Sequence, residues 1–231
     1  MHSKSWCFLL LLLGCFQAKG QFHDVGVFLG TSSYRGDVGN TNYVYPSGTA
    51  LGLIYRWNLT TRYSIRASGF YSTLKGKDYR TTDLGRFLRG YSFSNTIMEA
   101  SLSAEINFID FNLHAGTPQL SPYLTLGISY FDYDRFYFTG PPPAATETYD
   151  AAQSVALPVI VGLKFNPNPL WVLGFEVGMR YALTDDIDGS APIDLYDAAQ
   201  FGNPNNNDWY IFSGITISFT FGDLPCYCKE K

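Results

Sequence analysis

The chain has 231 residues, enough for one domain or a closed barrel of moderate size. Aromatic residues make up 17% and charged residues 16%, and the chain favours Tyr, Phe, Thr, Gly and Val over the residues that build long helices, so the class is all-β. The formal charge of −4 leaves no basic stripe for nucleic acid, so no nucleic-acid partner is expected, and a mean hydropathy of −0.05 argues against a bundle of membrane helices while suiting a barrel of alternating faces.

Residues 1–20 read as a signal peptide. His2 and Lys4 open it, residues 6–16 are apolar, and Ala18-Lys19-Gly20 offers small residues before a cut ahead of Gln21. A second cut stays open, because Leu12-Leu13-Gly14-Cys15 resembles a lipobox in which Cys15 would carry lipid. No later apolar run approaches the roughly 20 residues of a spanning helix. Removing residues 1–20 takes the formal charge to −6 and leaves Cys226 and Cys228 after Cys7 and Cys15 have gone.

Residues 21–221 read as eight strands with period-2 alternation. The first lies around residues 25–31. In the second, Leu51, Leu53, Tyr55 and Trp57 oppose Gly52, Ile54 and Arg56. In the third, Tyr63, Ile65, Ala67 and Tyr71 oppose Arg62, Ser64, Arg66 and Ser68. The fourth sets Met98, Ala100, Leu102 and Ala104 against Glu99, Ser101, Ser103 and Glu105. The fifth sets Leu124, Leu126, Ile128 and Tyr130 against Thr125, Gly127 and Ser129, and the sixth sets Val155 to Phe165 against Ser154, Ala156, Pro158, Gly162 and Lys164. The seventh, residues 170–181, is the clearest: Trp171, Leu173, Phe175, Val177, Met179 and Tyr181 oppose Val172, Gly174, Glu176, Gly178 and Arg180. Residues 209–221 complete the set.

Connections of 58–61 and 166–169 are tight, 109–121 is intermediate, and 34–47, 73–92, 132–153 and 182–208 are long. Short and long therefore alternate, as in outer-membrane barrels with short periplasmic turns and long external loops. The predicted architecture is an eight-stranded antiparallel transmembrane β-barrel in the cell outer membrane, with both termini periplasmic and outer-membrane lipid around it. Trp57, Tyr63, Trp171, Tyr181, Trp209 and Tyr210 suit interfacial girdles. The competing reading is a soluble barrel or sandwich with the aromatic face as core; apolar faces on every strand would need an interior too large for eight strands to fill.

The inferred lumen holds Arg56, Arg62, Arg66, Lys164 and Arg180 against Glu99, Glu105 and Glu176. Mixed signs in a narrow interior imply ion pairs that plug it rather than an open pore. Glu99 and Glu105 could be posed as a catalytic carboxylate pair, but the nearby cations make salt bridging the better reading. His23 and His114 follow no metal-ligand spacing, and no Gly-Xaa-Ser-Xaa-Gly elbow or phosphate loop is present, so neither an enzyme nor a cofactor is expected. Asp185-Asp186-Ile187-Asp188-Gly189 lacks the EF-hand pattern and reads as a solvated acidic turn. Gly140-Pro141-Pro142-Pro143 marks a stiff external loop.

Residues 222–231 form a predicted periplasmic tail with Cys226 and Cys228. A Cys-Xaa-Cys ring is strained, so an exposed thiol pair in an oxidising compartment suggests a disulfide to another protein; a strained internal bond or an inert pair is the alternative.

An ordered set of segments then resembles a known family, the PorG-like barrels of the Bacteroidota type IX secretion system. These are Gly30-Thr31-Ser32-Ser33-Tyr34-Arg35-Gly36-Asp37, Leu51 through Leu59, Glu105-Ile106-Asn107-Phe108 and Ser121-Pro122-Tyr123-Leu124. Gly174 through Arg180, Thr184 through Asp188 and Asp208-Trp209-Tyr210 continue the set. The resemblance implies a non-enzymatic barrel that contacts a periplasmic ring built from a PorK-like lipoprotein and its PorN-like partner, with Cys226 or Cys228 placed for the link. The alternative is a barrel with a transport, adhesion or small-ligand role.

Overall fold

The computed structural model describes residues 22–42, 44–113, 117–140, 144–193, 199–203 and 206–222. The signal segment, His114, Pro141 to Pro143 and the tail with Cys226 and Cys228 lie outside the described residues.

Eight strands follow in chain order: β1 (Phe22–Arg35), β2 (Gly48–Asn58), β3 (Tyr63–Lys77), β4 (Ser92–Asn107), β5 (Gln119–Thr139), β6 (Ala145–Asn168), β7 (Trp171–Ala182) and β8 (Trp209–Phe221). Each pairs antiparallel with its sequence neighbour, and β1 also pairs β8, with Val25 opposite both Tyr55 and Phe219. The sheet is closed. Within the apolar belt closure leaves no open edge, which a membrane core demands of a sheet.

The alternation decides what faces where. Leu53 on the outer wall is 66% exposed, whereas Arg66 inside is 0% exposed. Val27, Leu102, Val161 and Phe175 share the outside with Leu53; Phe28, Glu105, Lys164 and Glu176 share the inside with Arg66. An apolar exterior around a polar interior is the reverse of a soluble sandwich and sets that reading aside. The apolar belt ends toward the long loops at Leu29, Leu51, Tyr71 and Met98, beyond which Thr31 faces Thr49 and Thr73 faces Thr96.

Two predicted features need correction. Residues 132–153 are not a loop. β5 and β6 run on past the belt as a two-stranded ribbon joined at residues 140–144, with a register shift between Arg135 and Phe136. Above the bilayer nothing demands an apolar outer face, so the strand signal vanishes from the sequence while the ladder continues. Tyr210 belongs to no girdle. It points inward, fully buried, while Trp209 packs outside on Tyr181. The β3–β4 connection also holds a helical turn, α1 (Leu84–Arg89), where the Asp83 side chain accepts the Arg86 N–H at 2.9 Å and Gly90 ends the turn at φ 67°.

The lipid-facing assignment has a direct test. Leu102→Arg, midway along β4, is expected to cost about 2–4 kcal/mol in vesicle unfolding, as for a cation at the bilayer midplane. A cost near zero would place Leu102 outside the bilayer.

Candidate functional site

The interior is built in tiers from inward positions of non-adjacent strands. Nearest the short turns, Glu105 of β4 takes two cations: Arg56 Nε at 2.9 Å and Lys164 Nζ at 2.7 Å. Arg56 Nη1 also reaches Asp24 Oδ1 at 2.9 Å and the Ser218 hydroxyl at 3.2 Å. In the second tier Arg66 grips Glu176 with two parallel bonds of 2.8 Å, and the Tyr123 hydroxyl donates to Glu176 at 2.6 Å. In the third, Arg180 Nε lies 3.3 Å from Glu99 Oε2, which also accepts the Tyr210 hydroxyl at 2.7 Å. The Arg180 guanidinium stacks 4.2 Å from the Phe212 ring centre and 5.1 Å from Phe70.

Interior glycines make this possible. A side chain at Gly162 would collide with the Tyr123 ring, and one at Gly178 would collide with Arg180, whose Nη1 donates to the Gly178 carbonyl at 2.7 Å. Four cations thus meet four anions, all almost wholly buried.

Arg56, Arg66, Lys164, Arg180, Glu99, Glu105 and Glu176 are therefore brought together in the lumen. Arg62 is not. Its alternation pointed inward, but β3 starts only at Tyr63, and Arg62 sits in the turn, exposed and paired with Asp110. Asp24 was missed. The signal was present in β1, where Asp24, Gly26 and Phe28 alternate with Val25, Val27 and Leu29.

Both ends of the lumen are covered. Beneath it, Phe111 and Leu113 of the 108–118 connection pack against Val172, and Lys164 Nζ lies 4.8 Å from the Phe111 ring centre. Above it, Phe28, Phe70, Phe131 and Phe212 form an aromatic layer, and Tyr34, Phe93, Phe136 and Ile187 close over that.

Ile187 arrives there because its loop folds into the mouth, which corrects the solvated-turn expectation for residues 185–189. Asp188 is fully buried. Its Oδ2 accepts the N–H of Asp37 at 2.8 Å and of Val38 at 2.9 Å, and its Oδ1 accepts that of Ser190 at 3.0 Å. Asp186 takes Arg135 Nε at 2.6 Å and the Tyr133 hydroxyl. Asp208 accepts the Tyr34 hydroxyl and the Ile187 N–H. The carboxylates serve as acceptors that tie the β1–β2 and β7–β8 connections to each other and to β1 and β5.

Among the described residues, Asp185, Asp188 and Asp208 have no cation at ion-pair distance. Burial raises all three carboxyls, and the charge of Asp188 adds to the rise of Asp208. Asp185 is pushed up to about 7, by burial first and then by Asp188, Asp37 and Asp186. The sign follows from linkage. A carboxyl raised in the folded state contributes stability below its unfolded value, near 4, and loses it as pH rises through the folded value. Heat-modifiability on gels should therefore show a higher transition at pH 6 than at pH 8, and Asp185→Asn should narrow the difference. Equal transitions in the wild type would refute the linkage.

A closed eight-stranded barrel, apolar where it meets lipid and ion-paired within, defines an outer-membrane β-barrel protein. The chain belongs to the family described as a domain of unknown function, DUF6089, whose sequence profile matches residues 3–230. No curated protein matches it. Among solved structures it is similar to the attachment invasion locus protein Ail of Yersinia pestis, at 12% identity over 87% of this chain and 99% of that one, TM-score 0.46. It is also similar to the N-terminal β-barrel domain of Pseudomonas aeruginosa OprF (13% identity, 89% and 100% covered, TM-score 0.44) and to Neisserial surface protein A (13%, 88% and 98%, 0.44).

Proposed function

We propose that the protein is a non-enzymatic outer-membrane anchor of the type IX secretion machinery, which holds the periplasmic ring to the membrane through its tail. The observation that carries this reading is the filled lumen. Four buried ion pairs' worth of charge, roofed by aromatic rings and floored by Phe111, leave the barrel as a rigid post rather than a conduit. The described end of β8 supports it too. Phe221 sits level with His23 on the side of the short turns, the side that in this reading faces the ring. The sequence resemblance to PorG-like barrels supplies the partner class, a PorK-like lipoprotein and its PorN-like companion. In this reading Cys226 or Cys228 forms the covalent link.

Non-reducing gels of cells carrying the wild type, Cys226→Ser, Cys228→Ser and the double variant test the link. The wild type should give a reducible high-mass species that contains a ring protein and is lost in the double variant. Its absence from the wild type, or its survival in the double variant, would refute the covalent link. A pull-down on the chain shortened by residues 222–231 tests the docking itself; ring proteins recovered undiminished would overturn it. In planar bilayers the purified barrel should show no large steady conductance, and such a conductance would favour a transport role instead.

A further inference from the structure

β2 begins at Gly48, while its neighbours β1 and β3 run on to Arg35 and Lys77. The wall therefore has a notch on its external side, crossed by the chain between β1 and β2. A recess of about 180 Å³ remains there, lined by Lys75, Lys77, Arg80, Tyr45, Ser47 and Asn40, with Tyr34 at its inner edge.

Most cations of the described residues have a carboxylate, and Arg86, which has none at ion-pair distance, donates to the Gly36 and Gly39 carbonyls at 2.9 and 3.2 Å. The lumen cations are matched one for one, Arg62 has Asp110, Arg89 has Asp78 and Arg135 has Asp186. Among the described residues, Lys75, Lys77 and Arg80 have no carboxylate at ion-pair distance. The nearby Asp78 is taken by Arg89 at 2.8 Å. Lys77 Nζ and the Arg80 guanidinium lie 5.7 and 5.8 Å from the centre of one ring, Tyr79, and Arg80 also faces the Tyr45 hydroxyl at 3.5 Å. Two cations lie against the ring of Tyr79, and the lining of the recess beside them contains no carboxylate. On a chain of net negative charge, three uncompensated cations around one polar recess call for an anion from outside.

The height of the recess puts it within reach of lipid headgroups as well as of soluble anions. Lys75 and Lys77 follow Tyr71 on the outward face of β3, and Tyr71 marks the edge of the apolar belt. At about 3.3 Å per residue along a strand tilted by about 40°, Lys75 stands about 10 Å above that edge. The headgroup layer is about 5–8 Å thick, and lysine side chains reach back toward it.

We propose that Lys75, Lys77 and Arg80 form a binding site for a phosphate group, either the phosphorylated headgroup of an outer-leaflet lipid or a soluble phosphate. Arg80 supplies a planar fork for two phosphate oxygens, and the two lysines act as point charges.

The test is calorimetry on the full chain refolded in non-ionic detergent. The probes are a bisphosphorylated glucosamine lipid, the same lipid with its phosphates removed, and potassium phosphate. The bisphosphorylated lipid should bind, and Lys75→Gln/Lys77→Gln/Arg80→Gln should weaken it by at least about tenfold, the loss expected for charge-assisted bonds. Binding of the lipid alone identifies the headgroup as the source; binding of potassium phosphate in competition with it identifies the soluble anion. Either result supports the site. The proposal falls if the wild type binds neither phosphorylated probe, if the dephosphorylated lipid binds as well as its parent, or if the triple variant binds like the wild type. Should the triple variant lose its heat-modifiable gel shift, the exposed Arg80→Gln alone is read instead, and unchanged affinity there also overturns the proposal.

Discussion

Glu105→Ala is expected to destabilise the barrel by about 3–5 kcal/mol, the cost of stranding buried charge by removing its partner. Glu105 is the hub of the lowest tier, with Arg56 on one oxygen and Lys164 on the other. Its loss leaves Lys164 with no carboxylate and Arg56 with Asp24 alone. Neither cation can reach water, because Phe111 lies beneath them and Tyr123 and Glu176 lie above. Glu105→Gln keeps the shape but not the charge, so it should recover only part of the loss. The measurement is urea unfolding in lipid vesicles, followed by Trp fluorescence. A shift within about 1 kcal/mol, typical of an exposed pair, would mean that water reaches the tier.

Asp188→Ala should act differently, by opening the mouth while the barrel stays closed. It removes the acceptor of three N–H groups, those of Val38 and Ser190, which are buried, and that of Asp37, which is partly buried. Each stranded donor costs about 1–3 kcal/mol, so a local loss of about 3 kcal/mol or more is expected. Hydrogen exchange should show faster opening of residues 36–42 and 184–193, with protection along β2 to β4 unchanged. Asp188→Asn keeps one carbonyl acceptor and should be milder. Unchanged protection at both loops would show that Asp188 does not hold the mouth.

The strands were legible because two solvents, lipid outside and packed charge inside, impose one alternation on each of them. That is why Glu99, Glu105, Glu176, Arg56, Arg66 and Arg180 could be placed inward residue by residue. Parity alone cannot say where a strand stops. It carried Arg62 into the lumen when the chain had already turned, and it left Asp24 unread in a strand whose start was uncertain. Tyr210 was misread for a related reason, since an aromatic at a strand end fits either a girdle or a core until its parity is fixed. Outside the bilayer the alternation has no cause, so the β5–β6 ribbon looked like a loop. The burial of Asp188 was beyond sequence altogether, because its partners Asp37 and Val38 lie 151 and 150 residues away in a different connection.

Apart from Arg56–Asp24, the lumen pairs join strands that are not neighbours: β2 with β4, β4 with β6, β3 with β7, and β4 with β7. A growing sheet that has paired strand by strand, but has not yet met its own first edge, holds those charges apart. It must carry them unmatched wherever lipid reaches its inner face. Partly assembled forms are thus penalised in the bilayer, and the full reward arrives at the moment β8 meets β1. The network favours the closed ring over any half-built sheet in lipid.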